Sequence, residues 1–231
     1  MALKFTKTAI LCLIAASLLP ATAAQAAGND LAYYTITNVE TREIPSIPEQ
    51  PIQAPTASAQ APRFSTNLVG IDISDIVNIG KQIWNIIEAN QPVANVTMNS
   101  ASAVPEGITN WQDLAGWEAP QTKTYETTCT NGFGMTVVDF QYRISFIPGG
   151  TYNGRGKYLA NVTVEPQNVT VAWGFKFNAQ ATVPSITNAG TVRSPIAAAN
   201  VVVQWSVDTV AQHQSQSAEY YLRGDGMFEE L

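Results

Sequence analysis

Residues 122–147 read TKTYETTCTNGFGMTVVDFQYRISFI, and this stretch decides the fold class. Near its centre stands Asn131-Gly132, a residue pair that readily supplies the two positive φ angles of a type I′ hairpin turn. After the turn, apolar residues at even positions from 138 to 146 alternate with polar residues at odd positions, the pattern of a strand with one buried and one wet face. These features predict an antiparallel β-hairpin that turns at Asn131-Gly132.

The same alternation continues after this hairpin and again near the C-terminus. The predicted turns are Pro148-Gly149-Gly150 and Pro166, and the predicted strands are residues 158–165, 169–178, 201–208 and 220–223, with a polar loop at 211–217. Before the central hairpin, residues 93–98 are predicted as a strand, followed by a small-residue loop through Gly107. Short strands separated by turn residues at this spacing are typical of sandwiches and barrels. The sequence therefore predicts a mainly β protein, an antiparallel β-sandwich of about seven to nine strands.

One segment, residues 72–91, shows helical instead of strand periodicity. Isoleucines recur at three- and four-residue spacing between positions 76 and 87, and Trp84 widens the apolar stripe. Asp72 or Ser74 can cap the N-terminus, and Pro92 disfavours helical geometry in the residue before it. We predict one amphipathic helix over residues 72–91, packed on the sandwich.

Residues 1–26 have the organisation of a secretory signal peptide. Lys4 and Lys7 precede an apolar segment at 9–19, and Ala24-Gln25-Ala26 is a small-residue cleavage site, so we expect cleavage before Ala27. The rest of the chain contains no apolar stretch long enough for a membrane helix. The prediction is an exported protein, and the sequence leaves open whether it is periplasmic, attached to the cell surface or extracellular.

The mature chain divides into three parts. Residues 27–43 form an N-terminal strand segment, residues 44–66 are a tether rich in Pro, Ala and Gln, and residues 67–231 are a single sandwich domain. A strand on a long tether can pair with a sheet of its own domain. It can also add to the sheet edge of another copy or of another protein.

Charge and composition exclude several classes of function. Removal of residues 1–26 takes away two of the 12 basic residues and none of the 18 acidic ones, which changes the net charge from −6 to −8. An acidic chain without a Lys/Arg cluster is not expected to bind nucleic acid or an anionic membrane surface. His213 is the only histidine, and no P-loop, dinucleotide-binding, nucleophile-elbow or zinc motif is present, so we predict no metal site, no cofactor and no catalytic residue.

Two enzyme alternatives remain after this exclusion. Cys129, the only cysteine left after signal cleavage, could act as a nucleophile with His213, but the residues favour a small buried structural thiol in a strand and an ordinary surface histidine. The strand acids Asp139, Glu165 and Asp208 could provide a pair of carboxylates for a hydrolase. Sequence alone fixes no distance between any of these groups.

Aromatic residues supply the candidate ligand-binding residues. Trp111 and Trp117 lie close together in one loop, and Tyr152 and Tyr158 follow near a predicted turn. Aromatic rings can stack on the apolar faces of sugars, or they can lock a loop onto the sandwich edge. Our first hypothesis is therefore an exported, non-catalytic structural or interaction protein, and the alternatives are a carbohydrate-binding module and, third, a hydrolase.

Overall fold

The protein is an antiparallel β-sandwich, as the alternating pattern predicts. The structure is a computed structural model that describes residues 31–45, 71–93 and 99–231; the predicted signal peptide, most of the tether and residues 94–98 of the strand predicted at 93–98 lie outside these ranges. Twelve strands are described: β1 (Ile36–Ile44), β2 (Ile76–Asn78), β3 (Ile83–Glu88), β4 (Gln91–Pro92), β5 (Ala101–Pro105), β6 (Gln121–Asn131), β7 (Thr136–Tyr152), β8 (Arg155–Val171), β9 (Lys176–Asn188), β10 (Ala197–Asp208), β11 (His213–Arg223) and β12 (Phe228–Glu230).

The strands form two sheets of six. The first sheet has the order β1-β6-β7-β8-β5-β2, and the second has the order β12-β11-β10-β9-β3-β4. The predicted N-terminal strand exists as β1, but it begins at Ile36 after a helical turn at residues 31–34, and it pairs with β6 of its own domain. The strand count exceeds the prediction because several strands at or next to a sheet edge are only two to five residues long and carry too little alternation to detect.

The β6–β7 hairpin is confirmed, but the predicted turn type is wrong. Neither Asn131 nor Gly132 has a positive φ; Gly134 does, at 75°. The backbone carbonyl of Asn131 accepts from the Gly134 amide at 2.8 Å, and the backbone amide of Asn131 donates to the Met135 carbonyl at 3.0 Å. The connection is a three-residue loop closed by a left-handed glycine, the next commonest hairpin after the two-residue type.

The two-residue Asn-Gly turn occurs instead at Asn153-Gly154, between β7 and β8. These residues have φ values of 51° and 73°, and Tyr152 pairs directly with Arg155. The turn predicted at Pro148–Gly150 is wrong, because β7 runs through those residues with a shift in register. Pro148 and the two glycines there mark irregular strand geometry instead of a turn.

A second pair of predictions fails in the same way. Pro166 lies inside β8, where the register shifts, and does not begin a turn. The chain turns instead at residues 172–175, where the Phe175 amide donates to the Ala172 carbonyl and Gly174 has a φ of 84°. The single strand predicted over 169–178 is thus the end of β8 in one sheet and the start of β9 in the other.

The predicted helix over residues 72–91 is wrong. The segment forms β2, β3 and β4 and crosses from the first sheet to the second. At Gly80 the backbone passes so close to Ser100 that a side chain would collide with the Ser100 carbonyl oxygen. Trp84, Ile86 and Ile87 are buried in the core. Isoleucine is β-branched and favours strand over helix, and here β3 pairs with β9 of the second sheet.

The predicted small-residue loop before Gly107 is also strand: Ala101–Pro105 forms β5, and all five of its residues are buried. Its side chains are small, so the second sheet can approach closely at this point. A run of small residues is typical of a loop, whereas here these residues fill the core.

An aromatic layer joins the two sheets. Phe140 of the first sheet lies 5.2 Å from Phe177 of the second, measured between ring centroids, and Tyr125 lies 4.5 Å from Tyr220. The hydroxyls of Tyr142 and Tyr220 are 2.6 Å apart and hydrogen-bonded across the interface. Burial raises the pKa of Tyr142 to about 12 and raises that of Tyr220 further, so both stay neutral at physiological pH.

This hydroxyl pair generates a stability prediction. Tyr142→Phe removes one partner and leaves the buried Tyr220 hydroxyl without a hydrogen bond, so we expect the free energy of unfolding to fall by about 1–3 kcal/mol. Tyr125→Phe is the matched control, because the buried Tyr125 hydroxyl has no hydrogen-bond partner among the described residues. Urea denaturation should show Tyr125→Phe within about 0.5 kcal/mol of the wild type or above it; equal losses in both variants would contradict the assignment.

Candidate binding surfaces

The tryptophan loop lies against the end of the sandwich. Trp111 opens a short 3₁₀ turn that Asn110 caps, its side chain accepting from the Gln112 amide. The Trp111 and Trp117 rings meet edge to face at 5.6 Å between centroids. The Trp117 ring covers Gly150 so closely that a side chain at Gly150 would overlap it. Both rings are half-buried and pack against the core, so most of their apolar surface is already in contact with protein.

The two candidate tyrosines are not exposed platforms. Tyr152 is half-buried beside the Asn153-Gly154 turn and packs on the core. Tyr158 is fully buried, its hydroxyl donates to the Ile73 carbonyl at 2.7 Å, and burial raises its pKa to about 12. Of the four residues predicted for sugar stacking, the structure thus brings Trp111 and Trp117 together and places Tyr158 in the interior.

A concave surface lies on the outer face of the second sheet. An open groove of about 600 Å³ crosses strands β3, β9, β10 and β11. Its lining is mainly amide and hydroxyl side chains, among them Asn85, Asn178, Gln180, Gln204, Ser215 and Ser217. Gln180 donates to Gln204 at 2.7 Å across two adjacent strands, which fixes the orientation of both amides. Glu88 is the one charged residue in the lining, so the groove is nearly neutral on an acidic protein.

Three polar side chains form a hydrogen-bonded series beside this groove. Asp208 and His213 are cross-strand partners, with an Asp208 carboxylate oxygen bonded to His213 Nδ1, and His213 Nε2 lies 3.0 Å from the Ser215 hydroxyl. This is the order of groups in a serine hydrolase. However, the side chains of His213 and Asp208 are 65% and 41% exposed, and Ser215 lies within regular strand paired with Ser206. Water therefore competes for each bond, whereas hydrolases shield the series and aim extra donors at the oxyanion.

The structure does not assemble the other enzyme alternatives. Cys129 is buried opposite Val39 of β1, while His213 is exposed on the outer face of the second sheet. Glu165 is bonded to Arg143 at 2.9 Å, and Asp208 is bonded to His213. Burial, with a smaller effect from Glu126, raises the pKa of Asp139. Within the described ranges, no three His, Cys, Asp or Glu side chains gather as metal ligands.

Cys129 allows a test of this burial. Desolvation raises the pKa of its thiol to about 11, so the reactive thiolate is scarce at neutral pH. At pH 8 we expect labelling by a disulfide reagent to be at least about 100-fold slower than that of free cysteine, and to rise about tenfold per pH unit up to pH 10. The control is the urea-unfolded chain, in which the rate should match free cysteine. Equal rates for native and unfolded protein would contradict the buried position.

The groove was missed by the sequence interpretation. Its residues in β9 and β10 occupy the polar positions of alternating strands. Asn85 and Glu88, however, fall in the predicted helix, and Ser215 to Ser217 fall in the polar loop predicted at 211–217; both predictions are wrong here, because the structure places these residues in β3 and β11. Nothing in one sequence says that position 180 lies beside position 204.

No described helix has the length and apolar character needed to cross a membrane. Searches against family models, curated proteins and solved structures find no match to this chain.

Proposed function

We propose that this chain is an exported, non-catalytic interaction protein that binds a neutral glycan in the groove of the second sheet. The observation that carries the proposal is the lining of the groove, where amides and hydroxyls both donate and accept and only Glu88 is charged. Neighbouring sugar hydroxyls need this mixture of donors and acceptors, and a neutral ligand avoids repulsion from a chain whose expected mature charge is −8. The signal-like residues 1–26 support export.

The glycan proposal predicts which amides matter. Gln180→Ala/Gln204→Ala removes the two bonded amides, and at about 0.5–1.5 kcal/mol for each lost hydrogen bond we expect roughly tenfold weaker binding. The measurement is isothermal titration calorimetry with neutral hexasaccharides of glucose, mannose and N-acetylglucosamine. Gln141→Ala is the matched control, because Gln141 lies in β7 of the other sheet and bonds to Glu126.

The outcome of that experiment separates the two candidate surfaces. Binding that survives in the groove variant but is lost in Trp111→Ala/Trp117→Ala would move the site to the tryptophan loop. Absence of binding at millimolar sugar would reject the glycan ligand. A fluorophosphonate probe that labels wild-type Ser215 but not the His213→Ala variant would reject the non-catalytic assignment, because only an activated serine reacts in this way.

A second candidate function is self-assembly by exchange of β1. This edge strand pairs along β6 as far as Ile44, yet Ile36 is the only residue of β1 that is buried. The Arg42–Glu126 ion pair connects β1 to β6, but its guanidinium is mostly exposed. Exposed ion pairs contribute little to the free energy of folding. The 25 residues between Pro45 and Ile71 can span up to about 85 Å when extended, enough to reach another molecule.

Strand exchange can be trapped covalently. Val39 pairs with Cys129, so Val39→Cys places a second thiol opposite the first. Exchange predicts an interchain disulfide dimer on non-reducing gels, and its fraction should rise with protein concentration during refolding. Arg42→Cys is the control, because Glu126 and not a cysteine lies opposite it. If Val39→Cys gives only the intrachain disulfide at every concentration, β1 closes on its own domain.

A further inference from the structure

Five large apolar side chains are exposed together at one end of the sandwich. We call this set the apolar tip: Leu31, Phe133, Met135, Trp173 and Val210, which are 59%, 51%, 53%, 82% and 85% exposed. The other large apolar side chains exposed in the described residues, such as Ile83 in β3 and Val192 between β9 and β10, lie on other segments of the chain. Isolated exposed apolar residues are ordinary, but a cluster of them marks an interaction surface.

Contacts to residues 31–36 bring the four contributing segments to the same end. The β6–β7 loop touches this stretch where the Gly132 amide donates to the Ala32 carbonyl at 3.0 Å. The β8–β9 turn touches it where the Tyr33 hydroxyl donates to the Trp173 carbonyl at 3.2 Å. The β10–β11 turn touches it where the Thr209 hydroxyl donates to the Tyr34 carbonyl at 2.9 Å.

The tip is held rigidly from below. The buried Asn131 side chain accepts from the Phe133 and Met135 amides at 3.1 Å and donates to the Tyr33 carbonyl at 3.1 Å. Tyr33 and Tyr34 meet edge to face at 4.9 Å, and the Tyr34 ring fits over Gly174. The exposed apolar side chains therefore stand on a fixed base, so little conformational freedom is lost when they bind.

Charge distinguishes the kind of partner. Residues 31–35, 132–135, 172–175 and 209–212 include no charged residue. The side chains of the apolar tip also stand on turns, and each is more than half exposed. Uncharged, projecting apolar groups with a tryptophan and nearby tyrosines suit the boundary between lipid headgroups and acyl chains.

The position of the tip in the chain favours lipid over a protein partner. Leu31, in the tip, follows the predicted signal segment, whose apolar part ends at residue 19. Before cleavage, the membrane-bound segment therefore holds this end of the domain within about eleven residues of the bilayer. The expected mature charge of −8 disfavours anionic lipids and leaves a neutral bilayer.

We propose that the apolar tip inserts into the interfacial region of a lipid bilayer with neutral, zwitterionic headgroups. Insertion is shallow, because the tip consists of single side chains on turns. It depends on burial of apolar surface and not on charge. It is independent of the groove, so a docked molecule keeps the outer face of the second sheet free to bind a ligand.

The test is sedimentation of the chain beginning at Ala27 with phosphatidylcholine vesicles, together with tryptophan emission. This form lacks no described residue and removes the signal segment, which would bind lipid by itself. We expect binding at millimolar lipid that is unchanged between low and high salt and weakened by added phosphatidylserine. Emission should shift to the blue and be quenched by lipids brominated near the headgroup, because Trp173 is the most exposed tryptophan described.

Two variants assign the effect to the tip. Phe133→Ser/Trp173→Ser/Val210→Ser should reduce vesicle binding by more than tenfold, since burial of each large apolar side chain contributes severalfold or more. Val192→Ser, which changes an exposed valine in the loop between β9 and β10, should bind like the wild type. Near-UV circular dichroism of the buried tyrosines checks that both variants fold.

Three outcomes would overturn the proposal. The first is no vesicle binding by the wild type, and the second is equal binding by the triple variant. The third is a wild-type oligomer that the triple variant converts to monomer while neither form binds vesicles; the tip would then be a contact between copies of the chain.

Discussion

The hydrogen bond between Tyr142 and Tyr220, within the aromatic layer that surrounds it, is the contact on which the rest of the structure depends. Each sheet presents one apolar face, and neither face is stable in water until the other covers it. The rings are among the largest fully buried side chains, and the two buried hydroxyls bond to each other. Because the two inner faces bury each other, the fold does not require side chains on the outer faces and in the turns to be apolar. Those positions can therefore carry binding residues.

The same requirement for burial decides which aromatic residues remain at the surface. Trp117 covers a strand glycine, and Tyr158 donates to a backbone carbonyl inside the fold, so both contribute to packing. Trp173 stands on a turn between the sheets, where no strand of either sheet can cover it. Residues of similar chemistry therefore have opposite roles, and burial separates them.

The fold class could be predicted because alternation is a local property, whereas two kinds of detail depend on distant residues. The chain has one Asn-Gly pair in each of two hairpins, and only Asn153-Gly154 forms the type I′ turn. At Asn131 the side chain is buried and bonded to Tyr33, almost a hundred residues away, and this contact selects the longer loop. Similarly, residues 72–91 have helical spacing, but the backbone of Ser100 and the core around Trp84 draw them into strands. The candidate sites could be predicted only as residue types, since the groove exists through the pairing of Gln180 with Gln204.

By itself, the sequence determined that the chain is mainly β, that β6 and β7 form a hairpin, that its charge is acidic and that its first residues resemble an export signal. These properties follow from composition and from periodicity along a single strand. Only the tertiary structure decided the order of the strands, the geometry of the turns, the neutral groove and the gathering of the apolar tip from four segments. The physical reason is that each of these features is made by residues far apart in the chain, and it is the closing of one sheet on the other that brings them together.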